Sequence, residues 1–485
     1  MQDHILVLCR NRSLAGLISR TLRYRQIYSL PLPFETPAEE VLARAPRGVI
    51  VASDAFGADA LDGFDFSLLT SQTPILALGG AVGVLCRHFG GAAGPASCAR
   101  GSVTLGLAED PLFQDVASGE HVLHGFCELT LPEGLSSLAT ANERPIGFKH
   151  AALPLYALQY PIERNDPDSA QLLFNFAASV CGCSASWDED SIIDMAVDRV
   201  RTAAPEGTVL CAVSGGVDSA VCAKLASLAV GDRLKCVFVD TGLFRCNEPE
   251  GVITVFAESL NLTVSYVDAR TAFLTALSGV SSPEEKERVA SQVMTQVLVS
   301  QLTHDHSIRT IVMGTNFNDT LFGISPGASL DGQAHAPSVR LCEPVNDLFK
   351  DEVRRLAAAL ALPASIATRQ PFPASGLALR IYGQVTEDKL MLLRAADACF
   401  LEEIRAGGHD KRLWQFYATL VNNPDRPGGY AVCLRALQAS QGGALAARLP
   451  FDVLERATQR IRTEVRGITR VVYDLTPSAH YGELE

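Results

Sequence analysis

Short apolar runs recur along the first part of the chain: residues 4–9 (HILVLC), 48–52 (GVIVA) and 74–78 (PILAL), with helix-like segments between them. That alternation predicts a parallel α/β sheet. From 101 to 160 the pattern is more β-like, with SVTLGL, ELTL and PLYALQY, and a helix-like SAQLLFNFAASV closes the unit near Cys183. An amphipathic DSIIDMAVDRVRTAA opens a second unit. The strand-like TVLCAV, KCVFVD (235–240), LTVSYVD (262–268) and RTIVMG (309–314) follow, again with helices between. RQPFPASG (369–376) is Pro/Gly punctuation, after which a helix-rich stretch (386–407) and ITRVVYDL (468–475) predict a small α+β segment. The expected class is therefore α/β: two parallel-sheet domains, 1–185 and 186–370, followed by an α+β domain over 371–485. There are no internal repeats and no low-complexity tract.

Composition narrows the picture. A chain of 485 residues is too long for one ordinary core. No segment approaches the roughly 18 consecutive apolar residues of a membrane span. The opening MQDHILVLCRNR lacks a basic, then apolar, signal segment and predicts a first strand. The 13 cysteines are scattered, with Cys181 and Cys183 the only close pair and no C-x-x-C, so a reduced cytoplasmic protein without zinc is expected. A net charge of −13 argues against a broad nucleic-acid surface.

The stretch CAVSGGVDSAV (211–221) carries the chemistry. Gly215 and Gly216 let the backbone approach a phosphate, with the N–H groups of the turn, through Val217, aimed at the anion. A helix beginning near Asp218 adds its positive end. Ser214 and Ser219 offer hydroxyls, and Asp218 can hold a magnesium ion. No Lys-[Ser/Thr] follows the glycines, so this is not a Walker A loop. The bland alternative is a Gly-Gly turn with an incidental Asp-Ser cap, which six residues in a strand–turn–helix context disfavour.

The motif resembles the pyrophosphatase-type P-loop, whose enzymes cleave ATP between the α and β phosphates. CVFVDTGLFRCNE (236–248), EPVNDLFKDEVRRL (343–356), RQPFPASGLALRIYGQVTEDKL and RIRTEVRGITRVVYDLT (460–476) together look like the GMP synthetase family. LQYPIER and NFAASVCGCSASW resemble that family's class I glutamine amidotransferase domain, so the resemblance runs along the whole chain in the family's order. It implies ATP and Mg2+ as cofactors, XMP as nucleotide substrate, and a homodimer formed by the C-terminal domain. It assigns Ser214–Ser219 and Asp240 to ATP, Arg245 and Glu483 to XMP, and Asp218 with Asp319 to the metal.

The match fails at named places. The amidotransferase needs a Cys nucleophile at a strand–helix elbow, a His–Glu pair and an oxyanion loop. ILALGGAVG (75–83) puts Gly79 at the Cys position, and PIE puts Pro161 at the His position, so Glu163 stands beside a proline where the resemblance implies a catalytic histidine. VASDA (51–55) replaces the glycine-rich oxyanion loop, and CRNRS (9–13) the usual first turn. Cys86 and His88 cannot substitute, because two residues apart on a helix they face about 200° apart. In the synthetase half the family's lid lysine has become Ser325 or a neighbour within ISPGASLDG (324–332), and Gly-Pro has become Ala374-Ser375. Pro477 or Ser478 stands where a lysine binds the XMP phosphate. LFKDEVR (348–354) matches, although such a charged run is more often a solvated helix face.

Three readings stay open on sequence alone. The first is a GMP synthetase fed by free ammonia or by a separate glutaminase, releasing AMP and pyrophosphate. The second is a paralogue that adenylates another acceptor, and the third is a non-catalytic ATP-binding regulatory protein.

Overall fold

A computed structural model describes residues 3–477 apart from 96, 164–165, 318, 320–338, 368, 371, 374, 424–427 and 441–442. Ser325 and its lid, Ala374, Ser478 and Glu483 therefore lie outside the described residues. The chain divides into two compact units, Met1–Ser191 and Ile192–Glu485.

In chain order the first unit contains β1 (Ile5–Cys9), β2 (Ser29–Leu32), β3 (Gly48–Ser53), β4 (Ile75–Gly79), β5 (Ala92–Ala93) and β6 (Ser97–Leu107). Then come β7 (Gly119–Phe126), β8 (Leu129–Thr130), β9 (Leu135–Ala141), β10 (Arg144–His150) and β11 (Leu155–Leu158). Nine of these make one sheet in the order β2-β1-β3-β4-β11-β10-β9-β6-β7, while β5 and β8 pair separately. The strands from β2 to β11 are parallel and those beyond are antiparallel. The continuous apolar runs belong to the parallel half because both of its faces are covered. Ile5, Val7 and Cys9 enter one core cluster, while Leu6 and Leu8 enter another, as a period of two requires.

The second unit carries β12 (Thr208–Ala212), β13 (Leu234–Asp240), β14 (Val264–Asp268), β15 (Ile308–Val312) and β16 (Arg340–Cys342). These form an all-parallel sheet in the order β14-β13-β12-β15-β16. The order reverses beside β12, so a crevice opens between the carboxyl ends of β12 and β15. Open α/β sheets bind ligands at such points. The segment from 371 onward has its own sheet of β17 (Gln415–Asn422), β18 (Tyr430–Ser440), β19 (Gly443–Ala446) and β20 (Ile468–Tyr473). That sheet shares one hydrophobic cluster with the five-stranded sheet, through residues such as Val237, Phe273, Leu393, Phe416 and Leu434.

Lys286 lies inside this shared core. Its ammonium donates to the carbonyls of Ala378 (3.1 Å) and Ile381 (2.5 Å), at the end of the short helix Gly376–Arg380. Burial, with Lys389 nearby, pushes its pKa down to about 8. A lysine lowered on folding leaves the folded chain with fewer protons than the unfolded one between pH 8 and about 10.5, so its contribution to stability rises with pH across that window. The gap in melting temperature between the parent and Lys286→Met should shift in the parent's favour from pH 8 to 10. Thermal melts of the two chains side by side cancel the buried thiols, which titrate in both.

Candidate active site

The loop after β12 turns on Gly215, whose φ of +76° belongs to the left-handed region that favours glycine. A Cβ there would land on Val252 and lie 2.6 Å from Arg369 Nη1. Gly216 is the N-cap of the helix Val217–Val230, so no capping side chain takes up the first helical N–H groups. The serines brace the loop. Ser219 Oγ accepts from Ser214 N (3.2 Å) and donates to Gly216 O (3.0 Å), while Ser214 Oγ accepts from Gly216 N (3.4 Å). Bare helical N–H groups behind a glycine turn make a cradle for an anion.

Opposite the loop stands the turn after β15. Gly314 is required there, because a Cβ would sit 2.9 Å from Ser219 N. Asn316 donates its side-chain amide to Asp218 Oδ1 (3.4 Å) and its backbone N–H to Asp319 Oδ2 (2.9 Å). The expected carboxylates, Asp218 and Asp319, thus meet on one asparagine. Lys350 Nζ reaches Asp218 Oδ2 at 2.6 Å. The KDE run is therefore not simply a solvated face: Lys350 and Glu352 point inward, and buried Glu352 takes the N–H of Phe349 at 2.8 Å. One signal for this was available in the sequence. Lys350 is the first residue of the helix Lys350–Ala359, where the helix dipole disfavours a cation that has no acidic partner.

Asp240 ends β13 and is buried, accepting from Gly242 N (2.8 Å) and Tyr266 Oη (2.6 Å). Its carboxylate lifts the Tyr266 phenol to about 12. Asp240 also lines an open cavity of about 440 Å³ with Arg245, Arg270 and Arg394. Arg245 pairs through Nε with Asp397 Oδ2 at 2.9 Å and lies over Phe372. Beside it Arg380 is 2% exposed, sandwiched between Phe372 and Tyr417, with Asp397 3.9 Å away. Among the described residues, neither terminal nitrogen of Arg380, nor Arg245 Nη2, nor Ser375 Oγ has a hydrogen-bond partner. Burial, then the Arg245 charge, lowers Arg380 to about 10. Two guanidiniums with unsatisfied donors on one buried carboxylate are suited to an incoming anion.

In the first unit Gly79 ends β4 at φ +67°, and a Cβ there would land on the carbonyl of Ser53. A Cβ on Gly80 would land on the carbonyl of Ala55. The elbow is therefore closed by the 53–55 turn, which Asp54 ties to Asn11 at 2.6 Å. Pro161 is half-buried and Glu163 exposed. Cys86 is fully buried between the carbonyls of Ala92 and Thr130, and burial raises its thiol. His88 is exposed and stacks on Phe66 at 4.8 Å. The two do not form a facing pair.

A glycine turn leading into bare helical N–H groups stands at the switch point of a parallel sheet, with Asp218, Asp319 and Lys350 around it, an arrangement chemically suited to an anion such as a phosphate. A family model described as NAD synthase matches residues 190–394, and one described as GMP synthase C terminal domain matches 402–480. A glutamine-hydrolyzing GMP synthase of Bacillus cytotoxicus is 34% identical over 498 residues, covering 98% of this chain and 97% of that protein. Its counterpart from Bacillus cereus is 35% identical over the same span. The chain belongs to the GMP synthase family and is a ligase-type enzyme. No described helix is long and apolar enough to cross a membrane.

Proposed function

We propose that this chain converts XMP to GMP with ATP and ammonia, and that it does not use glutamine. The observation that carries the synthetase half is the loop Ser214–Ser219, whose Asp218 meets Lys350 and Asn316 from across the switch point. In the first half-reaction the C2 oxygen of XMP attacks the α-phosphorus, and pyrophosphate leaves. Ammonia then adds at C2, AMP departs with that oxygen, and a proton passes to solvent. The loop N–H groups and Lys350 offset the charge developing on the phosphates. Asp218 and Asp319 would hold Mg2+, which neutralises phosphate charge. No group of three metal-binding side chains stands together among the described residues, so phosphate oxygens and water would complete its shell. Arg245 and Arg380, with donors to spare, would receive the acceptor's phosphate.

Support for ammonia comes from the first unit, where Gly79 supplies no thiol and Pro161 no base. Purified protein with Mg-ATP and XMP should release AMP and pyrophosphate with ammonium and fail to do so with glutamine. Turnover with glutamine would overturn the nitrogen assignment. No XMP-dependent pyrophosphate with either nitrogen source would point to another acceptor, or to ATP binding without reaction.

A homodimer through the C-terminal segment is part of this reading. Leu445, Phe451 and Leu475 are 53%, 78% and 70% exposed and flank adjoining hollows that share Leu454. Light scattering should give twice the chain mass, and Phe451→Glu should give a monomer.

A further inference from the structure

We propose that Arg369 is a phosphate-binding residue of the ATP site, held ready by Glu248. This rests on the loop 214–219 being the ATP phosphate site. Arg369 lies outside that loop, in the RQPFPASG segment, yet its Nη1 reaches toward the carbonyl of Ser214 at 3.5 Å. It also stands 2.6 Å from where a Cβ on Gly215 would sit, so the guanidinium covers the position at which the turn presents its backbone. The side chain is only 18% exposed, and its other terminal nitrogen pairs with Glu248 Oε1.

Glu248 is one of the residues that hold this arginine, and it does a second job. Its other oxygen accepts the backbone N–H of Arg245 at 2.9 Å. Arg245 in turn pairs with Asp397, whose second oxygen takes the N–H of Ala418 (2.8 Å). One carboxylate therefore fixes both the cation over the phosphate loop and the segment that carries an acceptor-side arginine. A planar guanidinium suits two phosphate oxygens better than an ammonium does. A triphosphate entering the cradle would compete with Glu248 for it. Among the described residues, Arg369 and Lys350 are cations that the second unit brings to the loop from outside it.

The test uses the full chain without acceptor and measures binding of inorganic pyrophosphate, ATP with Mg2+, and AMP by calorimetry, with melting curves to check folding. Loss of one charge-assisted phosphate contact weakens binding by roughly 10–100-fold. Arg369→Gln should weaken pyrophosphate and ATP by that factor while AMP stays within about threefold. Equal losses for AMP and ATP, or unchanged pyrophosphate binding, overturn the assignment. Should Arg369→Gln fail to fold, Glu248→Gln decides: the guanidinium stays and its competitor goes. Pyrophosphate bound at least as tightly as by the parent supports the role, and a tenfold loss overturns it. If the parent binds neither ATP nor pyrophosphate, the reading of the loop falls together with this inference. If the parent binds and Arg369→Gln matches it, only this inference falls.

Discussion

Asp218→Asn is expected to lower XMP-dependent pyrophosphate release by about 10²–10³-fold, with little change in melting temperature. The aspartate sits in the first turn of its helix and accepts from Lys350 and Asn316. The amide keeps the shape and removes the charge that fixes Lys350 and would draw in Mg2+. Lys350→Met should cost a similar factor. The double variant should cost far less than the product of the two, because residues that act as one unit are not additive. Steady-state pyrophosphate assays on the three variants, with ammonium saturating, check this. A fall confined to one of the pair would separate the lysine from the carboxylate. Full activity in Asp218→Asn would remove the loop from the chemistry.

Gly79→Cys, the obvious repair of the amidotransferase, is expected to give no glutamine-dependent turnover and to destabilise the first unit. The residue has a positive φ, which costs a side chain on the order of 1–3 kcal/mol. The new Cβ also meets the carbonyl of Ser53, and overpacking of that kind adds about 1–3 kcal/mol. Together these should lower the first unit's unfolding midpoint by roughly 5–15 °C. On the proposed reading of the first unit, with Pro161 at the base position, a thiol at 79 would have no base, and its Cβ would meet the Ser53 carbonyl. Glutaminase activity in Gly79→Cys, or in the double variant with Pro161→His, would mean that the elbow opens more easily than the contact with Ser53 allows.

Much of the fold was legible from the pattern alone. The runs at 4–9, 48–52 and 74–78 became β1, β3 and β4, and KCVFVD became β13, because strands buried on both faces must be apolar throughout. The glycine turn was equally legible, since a positive φ at Gly215 can be foreseen where two glycines follow a strand. Lys350 was visible but misjudged. A charged run at a helix start has no sequence feature that names its partner, and Asp218 is 132 residues away. For the same reason nothing in the sequence joined Arg369 to Glu248, or Arg245 and Arg380 to Asp397.

The amino-acid sequence by itself determined the elements, the glycine turn after β12 and the presence of Gly79 and Pro161 in the first unit. These depend on residue type and local spacing, which the chain states directly. The tertiary structure alone decided which distant charges share a site: Asp218 with Lys350 and Asn316, Arg369 with Glu248, and Arg245 and Arg380 on Asp397. It also decided that the Gly79 elbow is packed shut against Ser53. Electrostatic partnership and steric room are set by distances of a few ångströms between segments far apart in the chain, and those distances exist only once the sheets have stacked.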